Sequence, residues 1–100
     1  MAERYNGWTN YETWCVNLWI DNEESAQEYW RERAADCLSN TDSDLDAISA
    51  LCNEMEYVAT EECPEIKGFH GDLLRAALSE VNWHEIARHY IEAVKEESNA

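Results

Sequence analysis

The sequence predicts an all-α fold, a compact bundle of about five short helices in a single domain, residues 1–100. Three observations carry this. Apolar residues recur at helical spacing in five segments, and a Ser, Thr, Asn or Asp stands ahead of each as a candidate cap. Three glycines and one proline leave little room for long irregular regions, and no stretch alternates in the manner of a strand.

Asn6-Gly7 marks a turn, since both residues tolerate positive φ. Thr9 then stands as the N-cap of the first helix, with Glu12 at the reciprocal capping-box position. From about Asn10 to about Ile20, Tyr11, Trp14, Cys15, Leu18 and Trp19 fall on one stripe, expected to be the core face. If two or more of its rings were exposed, the stripe would instead be a binding platform. Asp21 or Asn22 can cap a second helix, from about Glu23 to Leu38, whose inner face is Ala26, Tyr29, Trp30, Ala34, Cys37 and Leu38. Residues 39–44 form a polar loop. A third helix follows from about Asp44 to Thr60, with Leu45, Ile48, Leu51, Cys52, Met55 and Val58 turned inward. Pro64 breaks the pattern, and Phe69 is placed to plug the core from the loop. Asp72 caps a fourth helix, Leu73 to Val81. Asn82 caps a fifth, with Glu85 reciprocal and Trp83, Ile86, Ala87, Tyr90, Ile91 and Val94 inward. Met1 to Tyr5 reads as a frayed end and Glu97 to Ala100 as a tail.

Two of these segments, NGWTNYETW near the start and SEVNWHEIARHYIE near the end, cover about a quarter of the chain. Together they resemble a family of small acidic proteins carried by phages, plasmids and integrative elements. The resemblance implies an accessory protein in a setting rich in anti-restriction and anti-CRISPR factors. It implies no catalytic residue.

Composition narrows the function. Twenty-two acids against seven bases leave a formal charge of −15, a field that repels nucleic acid and anionic membrane and attracts basic surfaces. No apolar run is long enough to span a bilayer, and the N-terminus has no apolar leader, so a cytoplasmic protein with reduced cysteines is expected. His84 and His89 are five residues apart rather than the four that a zinc-protease helix needs, which turns the second ring by about 140°. The four cysteines lack metal-ligand spacing, with Cys63 expected to be the exposed one. The acids around Asp44 lack the central glycine and terminal glutamate of a calcium loop. Residues 72–93 carry too few cations for a DNA-reading helix pair. No enzyme, cofactor or metal site is expected.

Between Arg33 and Lys67 there is no Lys or Arg, while the stretch holds Asp36, Asp42, Asp44, Asp46, Glu54, Glu56, Glu61, Glu62 and Glu65. Helical carboxylates three or four residues apart lie about 5–6 Å from one another. That approaches the phosphate spacing of a DNA strand, on the order of 6–7 Å once its rise and turn are combined. These nine residues are the candidate partner-binding set. The matching partner is a basic nucleic-acid-binding protein, such as a subunit of a defence nuclease. An even, solvated acidic coat is the plainer reading of the same run. The competing function is a small adaptor or self-associating module using exposed aromatics such as Trp8 or Trp83.

Overall fold

The computed structural model describes residues 4–98, and these form five helices with no strand among them. They are α1 (Tyr11–Asn22), α2 (Glu24–Asn40), α3 (Asp44–Glu62), α4 (Phe69–Ser79) and α5 (Trp83–Ser98). The all-α bundle is the fold the sequence predicts. α5 packs most extensively on α3 and also lies against α2 and α1, while α2 bridges α1 and α3.

The core lies where α2, α3 and α5 meet. Ala34, Ala47 and Ala87 are wholly buried, one on each helix, and such small side chains let helix axes approach closely. Leu51, Met55, Ile86, Tyr90 and Ile91 fill the space between them. Each such side chain contributes about 1.5–3 kcal/mol by leaving water.

Several boundaries and faces differ from the sequence reading. Asn6 (φ 48°) and Gly7 (φ 89°) form the expected turn, closed by Tyr5 N–H to Trp8 O at 2.7 Å and Trp8 N–H to Tyr5 O at 2.8 Å. Tyr5 is therefore fixed, and Arg4 is bound to Glu85, so these two residues are not frayed. Met1 to Glu3 lie outside the described residues, as do residues 99–100 of the expected C-terminal tail. Glu97 and Ser98 belong to α5.

The N-cap of α1 is Asn10 rather than Thr9. Its Oδ1 accepts from Thr13 N–H at 2.9 Å and from Thr13 Oγ1 at 2.6 Å. α1 also presents the opposite face to the core. Thr13 and Asn17 are buried, with Val16 and Ile20 packed beside them, while Tyr11, Leu18 and Trp19 are exposed. Periodicity located the apolar stripe, but polar partners decided which side turned inward.

α2 has no side-chain cap from Asp21 or Asn22. Asp21 instead accepts from Asn17 Nδ2 at 2.9 Å and from the Tyr90 hydroxyl at 2.6 Å. Tyr29 of α2 and Leu45 of α3 are exposed rather than inward. Ser43 caps α3, its hydroxyl accepting from Asp46 N–H at 3.1 Å. α4 starts at Phe69, with Gly68 (φ 79°) as its cap position, so Asp72 lies inside the helix. Phe69 is exposed and plugs nothing, because it begins the outer side of α4. Asn82 caps α5 as expected, accepting from Glu85 N–H at 3.0 Å.

Candidate binding surfaces

The nine sequence-predicted acids fall on three elements. Asp36 is on α2, Asp42 precedes α3, Asp44, Asp46, Glu54, Glu56, Glu61 and Glu62 are on α3, and Glu65 is in the loop after it. Eight are exposed and Glu54 is half-buried. They do not form one row. On α3, at 100° per residue, Asp46 points away from the core, with Glu56 about 80° to one side of it and Glu61 about 60° to the other.

Three of the nine are engaged internally. Arg33 sits at the seam between α2 and α3, reaching Asp36 at 2.8 Å and both oxygens of Glu54, the longer contact at 3.1 Å. Lys95 from α5 holds Asp44. The Glu54 carboxylate raises the Arg33 pKa above its ordinary value by hydrogen bonding and then by charge, with Asp36 adding to it. Asp42, Asp46, Glu56, Glu61, Glu62 and Glu65 form no salt bridge among the described residues.

A second acidic row escaped the sequence reading. Glu24, Glu28, Glu32 and Asp36 recur every four residues along α2 and all are exposed. Trp30, Ala34 and Cys37 hold the opposite side of that helix in the core, which points the row outward. Its rungs are about 6 Å apart by helix geometry. The signal is present as the four-residue spacing itself, a spacing that an ordinary solvated helix face shares. Between residues 21 and 65 the chain carries fourteen carboxylates and two arginines, so most of the −15 charge resides on α2, α3 and their connections.

The two terminal motifs are brought together as one hydrogen-bonded corner. Thr9 N–H donates to Glu85 Oε1 at 2.9 Å, Arg4 to Glu85 Oε2 at 2.8 Å, and Asn82 N–H to Thr13 Oγ1 at 2.8 Å. Asn10 Nδ2 reaches the Glu80 carbonyl at 2.7 Å, and Trp8 stacks edge-on to His89 with ring centres 5.3 Å apart. Glu85 is thus not the reciprocal residue of its own cap. Burial pushes its pKa up, but hydrogen bonds from Thr9 and Arg4 and the Arg4 charge outweigh that and leave it below its ordinary value. These polar residues hold α1 to α5, so the motifs serve the fold.

The aromatic alternative changes its residues. Trp8 and Trp83 are half-buried against the core, and the exposed rings of the first segment are Tyr11 and Trp19. Cys37 is buried, and Cys15, Cys52 and Cys63 are half-buried, so Cys63 is not set apart by exposure. Burial raises the thiol pKa of Cys37 and Cys52. Among the described residues no three His, Cys, Asp or Glu side chains gather as a metal-ligand set. A cleft of about 410 Å³ between α3 and α4 is lined by Glu56, Cys63, Arg75, Leu78 and Trp83, among others. Among the described residues, no helix is long and apolar enough to cross a membrane.

Fold and surface together define a small acidic all-α protein whose charge is gathered on two adjacent helices. The chain belongs to a family of unknown function, DUF7249, whose model matches residues 1–99. No curated protein and no solved structure matches it.

Proposed function

We propose that this protein is a non-enzymatic binding protein that imitates nucleic acid with the acidic surface of α2 and α3. Its partner is a basic nucleic-acid-binding protein, such as a nuclease subunit of a restriction or CRISPR system, inhibited in the cytoplasm of the host. The supporting observation is the uneven charge: fourteen carboxylates between residues 21 and 65, including an exposed four-rung row on α2. The resemblance to acidic proteins of phages, plasmids and integrative elements supports the same setting. An even acidic coat would serve solubility alone, and this charge is not even.

The contacting residues in this reading are Asp42, Asp46, Glu56, Glu61, Glu62 and Glu65 together with Glu24, Glu28 and Glu32. Asp36, Asp44 and Glu54 contribute less, since cations already hold them. Opposite charge would steer association and make binding fall as salt rises.

The test is affinity capture from a lysate carrying defence systems, at low and high salt, with DNA as competitor. The expected result is a basic nuclease subunit released by salt or DNA, and lost when Glu28→Lys and Glu32→Lys are combined. Capture that resists both salt and DNA refutes the proposal.

A further inference from the structure

The face of α1 turned away from the core is apolar from Tyr11 to Trp19. Tyr11, Leu18 and Trp19 are exposed on it, with Trp14 and Cys15 half-buried between them. Tyr5 extends it from the preceding turn, its ring 5.2 Å from Tyr11 and 4.9 Å from Trp14 between centres. The same helix buries Thr13 and Asn17. A helix that hides its polar side and presents its rings to solvent marks a surface meant to be covered.

We propose that a second copy of this chain covers it, α1 against α1 across a two-fold axis. Charge is the first reason. α1 and the turn before it carry three charged residues, Arg4, held by Glu85, Glu12, which is half-buried, and Asp21, whose carboxylate is turned to Asn17 and Tyr90. Two bodies of charge −15 meet at least cost on a surface poor in carboxylates, whereas a basic partner is drawn to α2 and α3 instead. Area is the second reason. Trp19 is 73% exposed, Tyr11 52%, Tyr5 39% and Leu18 37%. At about 200 Å² for each large side chain, these four offer roughly 400 Å² per copy. A symmetric pair buries twice that, and Trp14, Cys15 and the helix rim bring it toward the ~1,200 Å² at which specific interfaces begin. The pair is therefore a weak, concentration-dependent dimer. The outer side of α4 is a poorer candidate, because Asp72 and Arg75 lie on the same exposed helix as Phe69 and Leu73.

This proposal uses a different face from the acidic one, and its salt response is opposite. Added salt screens the repulsion between two acidic bodies, so self-association tightens where a contact between opposite charges would loosen.

Sedimentation equilibrium of the purified chain over a range of concentrations, at low and high salt, tests it. The expected result is a mass rising from one chain to two, at lower concentration in high salt. Trp19→Ser is expected to raise the dissociation constant at least about tenfold, as the loss of a central interface ring does. Leu73→Ser on α4 leaves the constant unchanged. Both side chains are exposed, and helical circular dichroism verifies that each variant folds. A mass of one chain at both salts overturns the proposal and leaves the face to a partner of another kind. So does a dimer indifferent to Trp19→Ser, lost with Leu73→Ser, or loosened by salt.

Discussion

Replacing Thr13 by Val changes one buried atom of the corner between α1 and α5 while nearly keeping the side chain's shape. Thr13 is fully buried. Its hydroxyl accepts from Asn82 N–H at 2.8 Å and donates to Asn10 Oδ1 at 2.6 Å. Asn10 Oδ1 keeps its bond from Thr13 N–H in the variant, so the cap of α1 survives. Asn82 N–H loses its partner, and it sits at the N-terminus of α5, where a methyl group would face it. An orphaned buried donor costs about 1–3 kcal/mol. Taking about 2 kcal/mol and the usual response of a domain this size, the melting temperature should fall by roughly 8–16 °C. Thr9→Val is the control. Its hydroxyl accepts only a 3.4 Å contact from Asn82 Nδ2, and its loss should cost under about 0.5 kcal/mol. Urea unfolding followed by circular dichroism measures both. If Thr13→Val costs no more than Thr9→Val, the hydroxyl is not what holds the two helices together.

Three further outcomes follow from burial and charge. Glu85 has its folded pKa lowered, so its stabilising contribution is present above its unfolded value near 4.5 and is lost as pH falls through the lower folded value. Glu85→Gln should therefore destabilise by about 1 kcal/mol at neutral pH, because the Arg4 pair is partly exposed, and should lose less stability than the parent below that window, as read by unfolding at several pH values. Gly71→Ala should cost about 1–3 kcal/mol in urea unfolding, because a Cβ there meets the Ile66 backbone, its carbonyl carbon at 2.8 Å; a neutral result refutes the close approach of loop and α4. Leu51→Ala should cost about 2–5 kcal/mol and Leu45→Ala under about 0.5 kcal/mol, although the sequence places both on one stripe, since Leu51 is buried and Leu45 is exposed.

The number and order of the helices could be read from the sequence because each carries its own apolar period, and α1, α3 and α5 also carry a side-chain cap. Ser43 and Asn82 cap where polar residues precede apolar runs. What periodicity does not encode is which side of a helix meets the core when both sides can be satisfied. In α1 the side bearing Thr13 and Asn17 faces inward, where Asn82 of the distant α5 cap bonds Thr13 and the Tyr90 hydroxyl of α5 bonds Asp21, which in turn holds Asn17. No local pattern announces such partners. The acidic surface was readable as composition, but its pairing was not. Arg33 lies three residues from Asp36 and twenty-one from Glu54, and only the packing of α2 on α3 brings all three together.

The buried polar corner and the exposed aromatic face have a single cause. Glu85, Thr13, Asn82 and Asp21 fix α1 through directional bonds, which set its rotation as well as its position. With the rotation set that way, Tyr11, Leu18 and Trp19 have only one side left to occupy. Apolar packing alone would tolerate α1 rolled to bury those rings, and burial would favour it. Such a roll would break the bond from Asn82 N–H and that from Tyr90 to Asp21, leaving a donor of each without its partner. Burying the rings of α1 would gain roughly 25 cal/mol per Å², but the same roll would return Val16 and Ile20 to water at that rate and would add about 1–3 kcal/mol for each orphaned group. The polar corner thus holds an aromatic surface outward that hydrophobicity alone would draw in, and a second copy of the chain offers those rings cover without disturbing the bonds that placed them.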